Sequence, residues 1–551
     1  MINIKGACNF MRVHSINLQT ENKLINDYRN ENSRIMDYFD YNPFSSGVFE
    51  QRLADLKNRN VNRSHLVEVL YRANTKWNAP SSTFDNIDRL KQDNSVVVIG
   101  GQQAGLLTGP MYTINKIISI VHLAKQQEEQ LQVPVIPVFW IAGEDHDFDE
   151  INHIFMTDNT RMKKFTLLQR LLEKKAVSDI KIDQEAAGKW LVMLFEQLNE
   201  TNHTKGLHET FEQLLENSDT YVDFFAQTIF HLFNDEGIVL LDSDSSHLRN
   251  FESDYFLNLI NNQPQMTNGM KNSYDAIRNE GYSLSVEVDT NDGNLFFKQD
   301  NERVLLVRDE NNNWIGKNNE VKFSESEMVN IARNRPDLLS NNVMTRPLMQ
   351  EMVFPTLAFI AGPGELSYWS VLKQAFQVND MKMPPVIPRL SFTFIERNIE
   401  KLLNKYHVMP DEAIKNGVME VKAKWLAAKS DPPVNEVADQ LKQTVKEAHQ
   451  PLRELAKSIQ SDLGDLSNKN LEYLIRDIEF LEKRINKTIE EKYAIEIHEF
   501  NILQLALNPS NSLQERVWNP LPLINRHGVD FIKQLSNQSC SYNKEHYLVY
   551  I

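Results

Sequence analysis

The clearest pattern of hydrophobic and polar positions in the chain lies between residues 96 and 121. Val96 to Ile99 form a short, continuous β-branched run, which predicts a parallel strand covered on both faces. The glycine-rich loop that follows leads into a predicted helix, which begins at Gly109-Pro110 with Thr108 or Gly109 as its cap and its free N–H groups facing the loop. The apolar positions of this helix recur at helical spacing and are Ile114, Ile117, Ile118 and Val121.

Four further segments repeat this order of an apolar run, small or polar residues and a helical pattern: Pro134–Gly143, Gly237–Leu241, Thr356–Gly362 and Pro384–Phe394. Their alternation predicts an α/β fold with a Rossmann-like parallel-sheet core. Ligands bind such sheets beyond the carboxyl ends of the strands. We therefore expect four polar segments on one rim, namely QQAGLLTG, EDHDFDE, DSDSSH and PGELSYW.

Two insertions interrupt this core. The first has a helical pattern, and the second alternates as strands over residues 281–308, with Asn291-Asp292-Gly293 as a hairpin turn. The predicted intervals are the first part of the core (1–159), a mainly helical insertion (160–235), a core strand and helix (236–265), an antiparallel β insertion (266–340), the last part of the core (341–395) and a helical coiled-coil domain (396–551).

The C-terminal part of the chain is charged and helical in pattern. Alternating steps of three and four predict a coiled-coil seam at Leu471, Leu474, Ile478, Leu481 and Ile485. Either an intramolecular helical hairpin or self-association would cover this seam. After residue 505 the chain is rich in Asn and Pro, and we expect it to fold back on the body.

Charge and composition narrow the classes of partner. The chain carries 75 acidic and 59 basic residues, a net charge of −16, and has no dense basic run of the kind that binds nucleic-acid phosphates. Small-molecule substrates are therefore expected. Cys8 and Cys540 have neither disulfide nor metal-ligand spacing, and no segment approaches the ~20 apolar residues of a membrane span, which predicts a cytoplasmic protein.

The glycine-rich loop is the first candidate for ligand binding. Glycines allow a ligand to approach closely, amide side chains bond to it without adding charge, and a helix N-terminus attracts anions. The predicted substrate- or nucleotide-binding residues are Gly101, Gln102, Gln103, Thr108 and Gly109. The loop matches neither the P-loop nor GxGxxG, so a tight turn needed for packing is the alternative. Lys116 either reaches a phosphate here or is exposed.

His146 lies in the most acidic stretch, EDHDFDE, directly after a predicted strand. Repulsion among these carboxylates requires a cation, a basic side chain or a substrate amine nearby. His146 or Asp147 is predicted to act as general acid or base, or to bind the amine. The alternatives are a metal site, although no established ligand spacing is present and no ligand is assigned, and a solvated helix start.

Arg346 and Arg389 are set among apolar residues, where an unpaired guanidinium is costly. Each is predicted to pair with a buried acid such as Glu351 or Glu365, or to hold an acidic substrate bidentately. Glu365 and Tyr368 follow a predicted strand, and a carboxylate beside an aromatic wall suits a sugar or an amine.

Four blocks of the sequence, GGQQAGLLTGPMYT, PVFWIAGEDHDFDEINH, NNVMTRPLMQE and LQERVWNPL, resemble the cysteine ligase family of bacillithiol biosynthesis, BshC. The similarity extends over essentially the whole chain. The resemblance implies a core like the nucleotide-binding domain of class I aminoacyl-tRNA synthetases, with connecting insertions and a C-terminal coiled coil that forms a homodimer. It also implies that L-cysteine is joined to glucosaminyl-malate by an amide bond, in the last step of bacillithiol formation.

This amide bond requires an activated carboxyl group, for which ATP is the expected source, while a metal requirement is left open. The chain lacks the HIGH and KMSKS signatures, so adenylation is indicated by fold resemblance alone. The working hypothesis gives a nucleotide or acidic group to the glycine-rich loop, the malate carboxylates to Arg346 and Arg389, and deprotonation of the glucosamine amine to His146 or Asp147. A nucleotidyltransferase acting on another small molecule and a non-catalytic ligand-binding scaffold are the alternatives.

Overall fold

The computed structural model describes residues 11–57, 59, 61–158, 161–171 and 175–551, so the predicted free cysteine Cys8 lies outside the described residues. The chain divides into two compact units. Unit 1 comprises Met1–Asp158, Lys163–Phe394 and Glu515–Ile551, and unit 2 comprises Asn159–Met162 and Ile395–Gln514.

The strands of the structure form the sheets described below. They are β1 (Arg12–Ile16), β2 (Val96–Gln102), β3 (Val135–Ile141), β4 (His153–Asp158), β5 (Arg161–Thr166), β6 (Val239–Asp242), β7 (Asp292–Gln299), β8 (Glu302–Arg308), β9 (Trp314–Gly316), β10 (Lys322–Phe323), β11 (Leu339–Asn341), β12 (Thr356–Ala361), β13 (Val386–Pro388), β14 (Phe392–Ile395) and β15 (His546–Tyr550).

None of the helices in the described part of the chain is long and apolar enough to cross a membrane. The helices are α1 (Lys23–Arg29), α2 (Ser33–Met36), α3 (Val48–Leu56), α4 (Arg63–Lys76), α5 (Ser81–Arg89), α6 (Tyr112–Leu131), α7 (Phe148–Ile151), α8 (Gln184–Phe195), α9 (Thr204–Glu216), α10 (Tyr221–Leu232), α11 (Ser246–Phe251), α12 (Ser253–Asn279), α13 (Glu325–Asn334), α14 (Arg346–Val353), α15 (Pro363–Trp369), α16 (Lys373–Val378), α17 (Arg397–Tyr406), α18 (Pro410–Asn416), α19 (Met419–Ala427), α20 (Val434–Ile459), α21 (Ser461–Lys492), α22 (Ala494–Leu507), α23 (Gln514–Val517), α24 (Leu521–His527) and α25 (Asp530–Ser536).

The predicted parallel sheet is confirmed as the centre of unit 1. Its strands lie side by side in the order β13-β12-β2-β3-β6, all parallel. Val96 and Val98 of the middle strand face one hydrophobic cluster, and Val97 and Ile99 face the other, because successive side chains point to opposite faces. At the carboxyl end of β2, a Cβ on Gly101 would lie 2.5 Å from the carbonyl oxygen of Trp140, so only glycine allows the two strands to approach here.

The helix after β2 begins later than predicted. α6 starts at Tyr112, its N-cap residue Met111 makes no side-chain cap, and a 3-10 turn at Leu106–Thr108 precedes it. Thr108 and Gly109 have φ angles of 73° and 67°. Neither residue caps α6, because the 3-10 turn and Pro110 separate them from the N-cap position, which Met111 occupies. The predicted apolar stripe is confirmed, since all four of its residues are buried on α6.

The predicted position of the hairpin turn in the antiparallel insertion is wrong. The sheet has the order β10-β9-β8-β7-β11, and the turn between β7 and β8 is Asp300-Asn301, both with positive φ as in a type I′ turn. Residues 282–289 form no strand. The carboxylates of Asp289 and Asp292 instead accept hydrogen bonds from backbone N–H groups at residues 291 and 289, which closes a compact loop before β7.

A third sheet explains why the last part of the chain belongs to unit 1. It has the order β1-β15-β14, and β1 runs antiparallel to β15 with Arg12 opposite Tyr550. The interval 396–551 was predicted as one helical domain, but Glu515–Ile551 packs with unit 1 through this sheet. The expected fold-back of the Asn- and Pro-rich segment is confirmed.

In unit 2, α20 and α21 form an antiparallel hairpin, one of the two arrangements predicted for the seam. Lys442 Nζ lies 2.8 Å from Glu482 Oε2, and His449 Nε2 lies 3.0 Å from Asn470 Oδ1. The hairpin leaves part of the seam uncovered, because Leu474 and Leu481 are 40% and 57% exposed.

Candidate functional site

A cavity of about 390 Å³ lies at the carboxyl edge of the central sheet. It is bounded by the ends of β2, β3 and β12, by α6, α14 and α15, and by residues that follow β13. Seven predicted site residues line it: Gly101, Gln102, Gln103, Arg346, Glu365, Tyr368 and Arg389. The sheet topology therefore brings together most of the predicted rim, as parallel strand ends require. The DSDSSH segment is not part of the lining.

Thr108 and Gly109 do not line this cavity, so the structure does not bring them together with the other predicted site residues. Asn519 Nδ2 donates to the carbonyl oxygens of Leu107 and Gly109, at 2.9 and 2.7 Å. The N–H of Met111 donates to the carbonyl oxygen of Trp518 at 2.9 Å. Of the N–H groups at this helix start, that of Met111 is thus bonded to the protein's own backbone and is not available to an anion.

His146 and Asp147, predicted as acid or base, also lie outside the cavity lining. His146 Nε2 lies 3.8 Å from Asp147 Oδ1, and the Asp147 side chain is largely exposed. The backbone instead directs the two preceding acids, Glu144 and Asp145, toward buried arginines. The sequence predicts that the repulsion among these carboxylates needs positive charge nearby. In the structure, arginines supply that charge to Glu144 and Asp145.

Three arginines supply the positive charge that this acidic stretch requires. Glu144 pairs with Arg249 and, at 3.0 Å, with Nη2 of Arg346. Asp145 Oδ1 lies 2.9 Å from Arg303 Nη1 and 3.5 Å from Arg346 Nη2. Burial alone would lower the pKa of Arg346, but the charges of Glu144 and Asp145 raise it above its usual value. The Arg346 guanidinium therefore stays charged.

The acids that neutralise Arg346 and Arg389 are not the two named from the sequence. Glu351 pairs with Arg52 at 2.6 Å. Arg389 instead makes a bidentate pair with Glu515, from Nη1 to Oε2 at 2.8 Å and from Nη2 to Oε1 at 2.7 Å. Burial opposes ionisation of Glu515, but Arg389 outweighs it and lowers the pKa of Glu515 to about 2.

Glu365 forms the second charged pair of the cavity, with Lys116. Lys116 is buried, and its Nζ donates to Glu365 Oε2 at 2.5 Å and to the carbonyl oxygen of Gly101 at 2.7 Å. Burial lowers the pKa of Lys116, and the charge of Glu365 opposes this shift. Glu365 Oε2 also accepts the N–H of Gly362, the N-cap residue of α15, at 2.6 Å. Within the described part of the chain, Glu365 Oε1 has no hydrogen-bond partner.

Aromatic side chains complete the wall of the cavity. Tyr368 contacts its interior, and burial raises the pKa of its hydroxyl, which therefore stays protonated. The Tyr112 ring lies 6.0 Å from the guanidinium carbon of Arg389, and its hydroxyl is 3.5 Å from Gln102 Nε2. The cavity thus combines fixed charges with flat apolar surfaces.

Sequence reasoning did not commit to several residues of this cavity: Tyr112, Lys116, Asp145, Gln350 and Arg516. Tyr112 and Lys116 are four apart on α6, so a helical plot starting from the loop would have grouped them. Glu515 and Arg516 are more than a hundred residues from the core strands, and no local pattern links them to the site. In the described residues, no group of three His, Cys, Asp or Glu side chains is arranged to hold a metal ion.

Comparison with known proteins shows which family this chain resembles along its length. Residues 11–390 match the model of the BshC N-terminal Rossmann-like domain of bacillithiol biosynthesis, and residues 392–551 match that of the BshC C-terminal coiled-coil domain. A relative from Oceanobacillus iheyensis is 42% identical over 546 residues, 98% of this chain and 100% of its own length. Relatives from Geobacillus sp. and Bacillus anthracis are 40% and 39% identical over 542 and 526 residues, 98% and 96% of this chain and 100% and 97% of their own lengths. All three are named "Putative cysteine ligase BshC".

Proposed function

Because the chain belongs to the BshC family of bacillithiol biosynthesis, we propose that it joins the carboxyl group of L-cysteine to the amine of glucosaminyl-malate and so completes bacillithiol. The names of its relatives support a ligase. The observation that carries the proposal is the Lys116–Glu365 pair in the cavity at the sheet edge.

Glu365 is suited to receive the proton of an attacking amine. An amine attacks only as the free base, so a nearby acceptor has to take a proton as the new bond forms. The Oε2 atom of Glu365 is held by Lys116 and by the N–H of Gly362, which leaves Oε1 available to a ligand. Positioning by two buried donors fixes the carboxylate before substrate arrives.

Activation of the cysteine carboxyl by ATP is part of the proposal. In the ligation step, the nitrogen–carbon bond forms, the bond between the acyl carbon and its phosphate oxygen breaks, and the amine proton passes to Glu365. Lys116 and Arg389 are paired with Glu365 and Glu515, so Arg516 is the cavity cation that suits phosphate oxygens or carboxylates. Thr108 and Gly109 have no place in this scheme, because their region is bonded to Asn519.

The direct test is to incubate the purified protein with cysteine, glucosaminyl-malate and ATP and to analyse thiols and nucleotides by mass spectrometry. We expect the amide product, with AMP if the intermediate is an adenylate and ADP if it is an acyl phosphate. Binding of both substrates without product, even from chemically activated cysteine, would identify a non-catalytic scaffold. ATP turnover with an unrelated acceptor would favour the nucleotidyltransferase alternative.

The role of Glu365 is tested by Glu365→Gln, which keeps the shape of the side chain and removes its basicity. We expect the rate of amide formation to fall by roughly 10² or more. Glu327→Gln is the matched control, because Glu327 likewise accepts the N–H of an N-cap residue, Ser324 of α13, and does not line the cavity. Equal rates for the two variants would exclude Glu365 as the proton acceptor.

We also propose that two copies associate through the α20–α21 hairpin and that the reaction takes place in the cytoplasm. The exposed apolar side chains of the hairpin support the first point, since such surface is costly in water.

A further inference from the structure

The cationic side chains that line the cavity differ in whether an acidic side chain of the protein neutralises them. Lys116 pairs with Glu365, Arg346 with Glu144, and Arg389 with Glu515. Arg516 lines the same cavity, yet among the residues that the structure describes no carboxylate lies within 4.0 Å of its guanidinium. One positive charge in the cavity is therefore left without a counter-charge from the protein.

The backbone around Arg516 is firmly held, although its side chain is exposed. On one side, Glu515 is buried and bonds to Arg389, and its Oε2 also accepts from Asn115 Nδ2 at 2.6 Å. On the other side, the carbonyl oxygen of Trp518 accepts from the N–H of Met111. The backbone that carries Arg516 is therefore already in place, and only the side chain has to be ordered when a ligand binds.

The chemistry of this free guanidinium defines what it binds. Its planar fork of donors matches a carboxylate bidentately. Arg346 and Arg389, which the sequence offered for this task, are already occupied by buried acids. The acceptor in the proposed reaction has an amine at one end and the malate carboxylates at the other.

We infer that Arg516 binds a malate carboxylate of the acceptor and thereby makes the ligase specific for an amino sugar that carries malate. This inference rests on the proposed function. In this arrangement, the amine of the acceptor lies at Glu365 Oε1, which can take its proton. The malate carboxylate at the other end lies at the positively charged Arg516.

The test combines a substitution in the protein with a change of acceptor substrate. Arg516→Gln is compared with wild type on glucosaminyl-malate and on methyl glucosaminide, which has the amine and lacks malate. We expect KM for glucosaminyl-malate to rise about tenfold or more with little change in kcat, because a contact distant from the reacting atoms stabilises ground and transition states equally. With methyl glucosaminide, wild type and variant are expected to have the same kcat/KM.

Two further variants exclude a structural explanation. Arg516→Lys keeps the charge without the fork and is expected to restore part of the affinity. Arg333→Gln removes an exposed arginine on α13, away from the cavity, and is expected to change neither substrate's kinetics. An equal loss with both acceptors in Arg516→Gln would overturn the inference.

Binding measured by calorimetry separates this inference from the proposed function. Tenfold weaker binding of glucosaminyl-malate to Arg516→Gln, in a protein that forms no amide, would support the carboxylate contact and contradict the ligase. Normal amide formation with an unchanged preference for the malate-bearing acceptor in Arg516→Gln would support the ligase and overturn the role of Arg516.

Discussion

At the scale of single residues, the cost of burying a charge decides how the side chains around the cavity pair. That Arg346 and Arg389 need acidic partners follows from the cost of burying a guanidinium, and both have them. The identity of those partners could not be predicted, because Glu515 lies far along the chain and Glu144 was one of several adjacent acids. A general base at His146 or Asp147 stays a prediction. Composition locates an acidic stretch without showing which carboxylates turn inward, and here Glu144 and Asp145 pair with arginines.

His546 gives a pH dependence that can be measured without substrate. It is buried, with Nδ1 2.8 Å from Ser391 Oγ and Nε2 2.8 Å from Thr393 Oγ1. Burial lowers the pKa of His546 from 6.5 to about 4, although the charge of Glu515 opposes the shift. Between these values the unfolded chain binds a proton that the folded chain does not, so the free energy of unfolding should decrease as the pH falls from about 6.5 to about 4.

Urea denaturation at intervals across this pH range checks the expectation. His546→Gln should flatten the decrease relative to wild type, whereas His247→Gln, which changes an exposed histidine, should leave it intact. An unchanged pH profile in His546→Gln would show that other groups cause the acid sensitivity.

At the scale of elements, local periodicity predicts which helices and strands exist better than it predicts the residues at which they begin and end. The sequence predicts β2, β3, β6 and β12 from continuous apolar runs, and the apolar stripe of α6 from helical spacing. The start of α6 was misjudged because Asn519, which is remote in sequence, fixes the preceding turn. The residues of the loop by themselves favour an earlier N-cap for α6. The long-range contact with Asn519 outweighs that local preference.

Asn519→Ala tests how much that contact contributes. Its side chain satisfies the carbonyl oxygens of Leu107 and Gly109 and accepts the N–H of Leu521 at 2.9 Å. Since the variant leaves two buried carbonyls unsatisfied, we expect the free energy of unfolding to fall by about 2 to 4 kcal/mol. Chemical denaturation measures the change, with Asn250→Ala on an exposed helix surface as the control. A loss as small as that of the control would mean that water replaces the side chain.

At the scale of the whole molecule, composition and pattern were enough to predict an α/β core with insertions and a helical tail. They did not reveal that the last segment returns to unit 1, because the pairing of β15 with β1 joins strands at opposite ends of the described chain. Adenylation and a likeness to aminoacyl-tRNA synthetases stay predictions.

Self-association is the prediction that belongs to this scale. Phe480 and Leu466 on α21 are 72% and 61% exposed. We expect Phe480→Glu and Leu466→Glu each to shift the protein from dimer toward monomer in sedimentation velocity, without lowering the stability of the monomer. Leu168→Glu, at an exposed leucine of unit 1, is the control and should sediment as wild type. A monomeric wild type would contradict the proposed dimer.

The return of Glu515–Ile551 to unit 1 has a consequence for how the protein is made. Glu515 and Arg516 are translated after all of unit 2, so a ribosome that has finished the parallel sheet has not yet supplied one wall of the cavity. A message that is cut short after the helical hairpin would therefore encode the parallel sheet and leave the cavity incomplete.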